Sequence, residues 1–314
     1  MSRPAHSSFS RCPLRALRLS SSRRRLASAS ALKTSSIPPV RSFMQPSGCL
    51  FRIGSRLAAC QSRRETGGVT VIAVPFHLDD HLPDLELPLA ADRTIAPDLP
   101  PGTPWERMAV LYEEVAEAVA DDARAGRVPV VLSGDCTTSL GVVAGLQRAG
   151  RDPRVVWFDG HGDVQTPQTS TSGYLGGFPV RQLVGGSDRT APERLGLRPV
   201  PERDVVLVDA RDLDPPEAEY LARSGIRRVP VDRVADVGEP VYLHVDVDVT
   251  SPDDLPGLLF PATGGPSLTA VTDAVRGVVA RRGVAAVGIA CTYRQGSGAA
   301  RLLAGLVEEL SAAQ

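Results

Sequence analysis

Six short apolar runs constrain this chain more than any other feature in it. They are Val69–Val74, Val128–Leu132, Val155–Phe158, Val205–Val208, Val241–Val247 and Val284–Ala290. Each is too short for a helix, rich in β-branched residues and without regular polar alternation, which suits strands covered on both faces. Between most of them lie stretches with a helical apolar period: Trp105–Ala125, Thr138–Ala149, Pro216–Ser224, Ser267–Arg281 and, last, Ala299–Ala312. In the first of these Val110, Val115, Ala118 and Val119 share a face, and Pro216 and Ser267 suit first-turn positions. Alternating strands and helices predict an α/β fold: a three-layer, doubly wound parallel sheet with right-handed crossovers and helices on both faces. No internal repeat is present.

The formal net charge of -1 over 314 residues averages two unlike parts. Residues 1–64 carry thirteen Lys or Arg and no Asp or Glu, leaving 22 basic against 36 acidic residues from Glu65 onward, a net -14. The first part, with Arg23-Arg24-Arg25 and Ser20-Ser21-Ser22, has no sustained apolar period and too little hydrophobicity to offset chain entropy. It reads as a disordered basic extension outside the fold. An over-extended translation start, with Met44 or a position near Gly67 as the true beginning, ranks ahead of an organelle transit peptide. A nucleic-acid arm ranks third, since no aromatic residues interleave the arginines. Residues 65–314 read as one catalytic domain, long enough for a continuous α/β core. Its acidity disfavours a nucleic-acid surface and suits a cation-binding centre. No apolar stretch reaches about 18 residues, so no membrane-spanning helix is predicted. Of the five cysteines, Cys12, Cys49 and Cys60 lie in the extension, leaving Cys136 and Cys291 and no readable disulfide framework. A reducing, cytoplasmic setting is expected, with organelle targeting by residues 1–64 as the alternative.

In sheets of this kind ligands bind beyond the carboxyl ends of the strands, and the polar clusters fall there. Ser133-Gly134-Asp135-Cys136 follows one run, Asp159-Gly160-His161-Gly162-Asp163 another, and His244-Val245-Asp246-Val247-Asp248 ends a third. In extended backbone, Asp159, His161 and Asp163 alternate to one side, as do Asp246 and Asp248. Four converging carboxylates without arginine partners repel one another, and divalent ions resolve the conflict. Carboxylate with imidazole suits Mn²⁺, Fe²⁺ or Zn²⁺. A polar strand end with capping side chains explains Asp-x-His-x-Asp alone equally well; the second Asp-x-Asp tips the reading to metal.

These motifs resemble those of the ureohydrolase (arginase and agmatinase) superfamily. Asp159–Asp163 with Thr166-Pro167 and Ser172-Gly173 is similar to its second metal motif, Ser133–Cys136 to its first, and Asp246–Asp248 with Pro252 to its third. Pro261-Ala262-Thr263-Gly264-Gly265 extends the likeness, which runs from about Gly67 to the end. The resemblance implies two divalent metal ions, usually Mn²⁺, and a metal-generated hydroxide attacking a guanidinium or amidine carbon of a small molecule. By position, Asp159 and Asp246 would bridge both ions and act catalytically. Asp163 and Cys136 would complete one site, His161 and Asp248 the other. Trimers or hexamers are common in the family, so a homo-oligomer is a further implication.

Three positions depart from the pattern. Cys136 stands where the family usually has a histidine ligand, which shifts preference toward Zn²⁺ or Fe²⁺. Gly176 stands where arginases carry a proton-transfer histidine, and His77 or His81, after the first strand, are candidates to replace it, His77 foremost. Tyr293 is assigned to the place of a glutamate that meets the substrate guanidinium. Arg211-Asp212-Leu213-Asp214-Pro215 resembles arginase, where Asp214 with Ser170 and Ser172 would hold an amino-acid end. Tyr293 and Asp214 together point to an Nω-hydroxyarginine-type substrate, whose hydroxylated guanidine is less basic. His244 is read as pointing to the face opposite Asp246, a structural residue. The leading function is a metal-dependent amidinohydrolase. An inactive metal-binding homologue and a formimidoyl-type amidine hydrolase are the alternatives. A nucleotide-binding fold is disfavoured, because no P-loop or Gly-x-Gly-x-x-Gly turn follows the first strand.

Overall fold

The computed structural model describes residues 68–234, 237–281 and 283–312. The expected basic extension therefore lies outside the described residues. The chain enters on β1 (Val69–Val74), passes a small hairpin, β2 (Phe76–His77) and β3 (Asp80–His81), and adds a short edge strand, β4 (Arg93–Thr94). Then come α1 (Pro104–Arg124), β5 (Val128–Ser133), α2 (Ser139–Arg148) and β6 (Arg154–His161). Two short helices, α3 (Pro179–Leu183) and α4 (Thr190–Arg194), precede β7 (Val205–Asp212), α5 (Pro215–Arg223) and β8 (Arg227–Val229). The chain closes with β9 (Val241–Asp246), α6 (Leu268–Val279), β10 (Val284–Ala290) and α7 (Ala299–Ala312).

Eight strands form one sheet in the order β4-β1-β5-β10-β9-β6-β7-β8, with every pairing parallel. Strand alternation divides the core. Val155 and Trp157 pack on the side of α1 and α2, whereas Val156 and Phe158 pack on the side of α6 and α7. The sheet is thus covered on both faces, which is why its apolar runs show no polar alternation. The chain progresses from β1 to β5, jumps to β6, and fills the gap last with β9 and β10. The carboxyl ends of β5, β6 and β9 therefore converge near the topological switch, where a ligand crevice opens.

Local signals set the helix ends. Thr103 caps α1: its side chain accepts from the Glu106 amide while Glu106 reaches back to the Thr103 amide, with Pro104 in the first turn. Asp214 and Glu217 make the same reciprocal box on α5, and Ser267 caps α6. The strands of the main sheet missed in the sequence, β4 and β8, are short, charged and at the sheet edges, where no continuous apolar run is required. Helices α1 and α2 cross closely because α2 presents glycines: a Cβ at Gly145 would lie 2.6 Å from the Ala116 carbonyl oxygen. No helix among the described residues is long and apolar enough to cross a membrane.

Candidate metal centre

The centre is built from strand ends. After β5, Asp135 accepts from the amides of Leu78 and Thr137, both at 2.7 Å, and so fixes the turn that delivers Cys136. β6 delivers Asp159 and His161; Asp163 follows with φ of 54°. β9 ends at Asp246, whose Oδ1 accepts from the Asp248 amide at 3.0 Å and from the Thr292 hydroxyl at 2.6 Å. Two groups of ligand atoms result, each within 4.8 Å mutually: Cys136, Asp159 and Asp246, and Asp159, His161 and Asp248. They share Asp159. Asp163 lies outside that spacing but lines the same cavity, and its Oδ2 is buried without a hydrogen-bond partner.

The electrostatics are those of a site short of positive charge. Burial, followed by neighbouring carboxylates, pushes Asp163 and Asp246 well above the usual carboxylate range, and lifts Asp248 to about 6. Burial also acts to raise Asp159, but hydrogen bonds from His161 and Trp157 outweigh it and leave Asp159 lowered. Burial opposes protonation of His161, yet Asp159 and Asp248 push it up to about 12. Burial and the Asp246 charge raise the Cys136 thiol, which donates to Asp246 Oδ2 at 2.8 Å. Divalent cations relieve this kind of repulsion in a carboxylate cluster. The orphaned Asp163 oxygen, the shared Asp159 and the oxygen, nitrogen and sulfur donor set fit two divalent ions.

The structure corrects two assignments. Tyr293 does not reach the cavity: its hydroxyl donates to the Glu86 carbonyl at 2.7 Å, and its ring joins the α6–α7 side of the core. Alternation beyond β10 puts Thr292, one residue earlier, at the cavity wall instead. His244 does not point away from Asp246; residues two apart share a face, and its Nε2 lies 3.3 Å from Cys136 Sγ. Its ring stacks on Trp157 at 3.7 Å, and burial lowers its pKa to about 3. The neutral imidazole behind the thiol was legible from strand parity.

The remaining candidates are brought close. Ser170, Ser172 and Asp214 line the cavity, with the two serine hydroxyls 3.5 Å apart and Asp214 accepting from Gln165 Nε2 at 2.8 Å. His77 sits one residue behind the wall: its Nδ1 donates to the Gly134 carbonyl at 2.9 Å, so its Nε2 accepts from the Tyr174 hydroxyl at 3.2 Å. Tyr174 was missed. Its ring occupies the space above Gly176, where a Cβ would come within 2.4 Å of it, and Phe260 faces it at 4.8 Å. Glu217 was missed too, although its place in a helix-start pattern with Asp214 is visible in the sequence. A wider groove of about 670 Å³ beside α6 contains none of the ligand candidates, so size does not locate this chemistry.

Strands delivering carboxylates, an imidazole and a thiol to one crevice define a parallel α/β protein whose strand ends could hold divalent cations. A sequence model of the arginase family matches residues 46–312. The chain belongs to the arginase family. It is 34% identical over 170 residues to an arginase of Brevibacillus brevis, covering 49% of this chain and 57% of that one. It is also 34% identical over 151 residues to the N(omega)-hydroxy-L-arginine amidinohydrolase of Streptomyces lavendulae, covering 45% and 53%. The matched stretches thus span a little over half the length of these relatives. Among solved structures, the arginase from Bacillus subtilis superposes with a TM-score of 0.67 at 22% identity, covering 78% of this chain and 98% of that one. The formimidoylglutamase from Bacillus subtilis subsp. subtilis str. 168 gives 0.61 at 14%, covering 79% and 87%. At these identities the likeness is one of fold.

Proposed function

We propose that this chain is a binuclear metal-dependent amidinohydrolase that cleaves a linear C–N bond of a guanidino or amidino compound. The observation that carries the reading is the pair of candidate ligand groups sharing Asp159 at the carboxyl ends of β5, β6 and β9, open to an acidic cavity. Cys136, Asp163, Asp159 and Asp246 would hold one ion, and His161, Asp248, Asp159 and Asp246 the other. Bound there, divalent ions supply Lewis acidity and a water acidified enough to act as a nucleophile at neutral pH. Mn²⁺ suits the five oxygen and imidazole positions; the Cys136 sulfur favours Zn²⁺ or Fe²⁺ more than a histidine would.

The remaining residues have distinct tasks. Asp163, Asp214, Glu217, Asp246 and Asp248 line the cavity and, among the described residues, no Lys or Arg does, so it selects a cationic or amidine-bearing ligand. Ser170, Ser172 and Asp214 present hydroxyls and a carboxylate suited to an amino-acid end. Thr292, rather than a carboxylate, stands beside the reacting end, which suits the weakly basic hydroxyguanidine of an Nω-hydroxyarginine-type substrate. That choice is supported by the relative from Streptomyces lavendulae. Tyr174 lines the cavity and its hydroxyl donates to His77 Nε2, so the pair would serve as the proton relay to a departing amine.

The test is urea and hydroxyurea release by protein reconstituted with Mn²⁺, using arginine, hydroxyarginine, agmatine and guanidinobutyrate, with metal content measured on the same sample. Two bound ions with turnover, fastest on hydroxyarginine, is the expected result. Faster turnover of arginine would remove the hydroxyarginine assignment. Two ions without turnover of any guanidine would favour a formimidoyl substrate or an inactive homologue. No bound metal, in wild type and in Cys136→His, would overturn the enzyme reading.

A further inference from the structure

β7 contains two successive non-glycine residues in left-handed backbone, Asp209 at φ 79° and Ala210 at φ 47°. Each such residue costs about 1–3 kcal/mol, and persists only where the surroundings hold it. Here the strand bulges. Asp159 pairs with Asp209 but His161 pairs with Asp212, so β7 carries one residue more than β6 across the metal motif. The extra length turns Arg211 inward.

The Arg211 guanidinium then meets five acceptors. Nη1 donates to Asp209 Oδ2 and to the Val249 carbonyl at 2.9 Å. Nη2 donates to the carbonyls of Asp248 at 3.3 Å and Ala262 at 3.1 Å, and Nε to Thr263 at 3.2 Å. A planar fork with donors on all three nitrogens can span two backbone segments in this way, and a lysine ammonium cannot. The chain leaves room for it: a Cβ at Gly265 would lie 2.5 Å from the guanidinium carbon. One segment carries the Asp248 side chain, whose Oδ1 accepts from the Gly160 amide and whose Oδ2 lies 3.2 Å from His161 Nδ1. The other leads from Phe260, which faces Tyr174 across the cavity mouth.

We propose that Arg211 is a positioning residue that ties the Asp248 turn to the Phe260–Gly265 loop, and so sets the His161/Asp248 half of the metal centre together with one wall of the substrate cavity. The inference rests on the proposed metal-dependent function and names what aligns its second ion. Arg211 touches neither metal nor substrate; it acts through the backbone of Asp248 and of the Ala262–Thr263 segment. Its loss weakens one ion more than the other, because Cys136 is set by the Asp135 turn and Asp246 keeps the Thr292 hydroxyl besides the Asp248 amide.

The experiment is Mn²⁺ titration of the chelator-treated full chain by electron paramagnetic resonance, on wild type, Arg211→Lys and Arg211→Gln. Gly145→Ala, at the α1–α2 crossing, serves as a destabilised control away from the site. Wild type should bind two ions. Both Arg211 variants should lose about tenfold or more in the affinity of one step, with the other within twofold, as loss of a supporting contact to a ligand produces. Gly145→Ala should retain both wild-type affinities. Two unchanged steps in the Arg211 variants overturn the inference and leave the metal centre standing, as do two steps weakened equally. Wild type that binds no Mn²⁺ overturns both.

Discussion

Replacing Glu217 by glutamine should reverse its stability ranking against wild type between mildly acidic and mildly alkaline pH. Glu217 is 6% exposed, and its carboxylate accepts from the Val164 and Asp214 amides, both at 3.1 Å. Burial is the largest influence on it and lifts its pKa from 4.5 to about 6, against the two amide donors that work the other way. A carboxyl with a raised folded-state pKa holds its proton more tightly in the fold. Its contribution is complete below the unfolded value of 4.5 and is lost as pH rises through about 6. At about 1.36 kcal/mol per pKa unit the loss is about 2 kcal/mol. In Glu217→Gln nothing ionises, but one amide oxygen must serve two N–H groups, which costs about 1 kcal/mol at all pH values. The variant should therefore be about 1 kcal/mol less stable than wild type near pH 4 and about 1 kcal/mol more stable near pH 8. Urea unfolding of chelator-treated protein across that range measures the difference, with the slope confirming that the same surface unfolds. A difference that stays constant with pH would refute the claim that Glu217 is held protonated by burial.

Three further outcomes are expected. Gly145→Ala should lower stability by about 1–3 kcal/mol, since its new methyl meets the Ala116 carbonyl and Val119 Cβ at 2.8 Å; a thermal melt reads this. Trp157→Phe keeps the stacking surface for His244 but removes the Nε1–H that donates to Asp159 Oδ2 at 2.9 Å. The metal-free protein should lose about 1–3 kcal/mol, read as a lower denaturant midpoint at unchanged slope. Tyr174→Phe preserves the ring above Gly176 and deletes the hydroxyl beside His77, so kcat should fall about 10²-fold or more while the metal content of the same samples stays constant.

Much of the architecture was legible because the two periods in the chain are physically distinct. Val69–Val74 and Val284–Ala290 appear as strands over the residues expected, and Ala299–Ala312 as a helix. The other principal elements differ by a few residues at their ends, where capping decides: Thr103 and Asp214 start their helices through side-chain bonds to residues three further on. The convergence of Asp159, His161, Asp246 and Asp248 was legible for a related reason. Alternate carboxylates at the end of a buried strand have no apolar role, so their presence there marks a polar site.

The primary structure, then, determines the layers and the convergence of the candidate ligand side chains, because both follow from local periodicity and from a parallel sheet collecting its strand ends on one edge. It left undecided which side chain stands beside which across strands distant in the chain. Cys136 lies 2.8 Å from Asp246 and 3.3 Å from His244, although 110 and 108 residues separate them. Tyr174 meets His77 across 97 residues, and Thr292 rather than Tyr293 faces the cavity. Arg211 reaches the carbonyls of two loops 37 or more residues away. Those pairings depend on strand register, on one bulge in β7 and on which face each residue takes. Each is a property of long-range packing, and a shift of a single residue would reverse it.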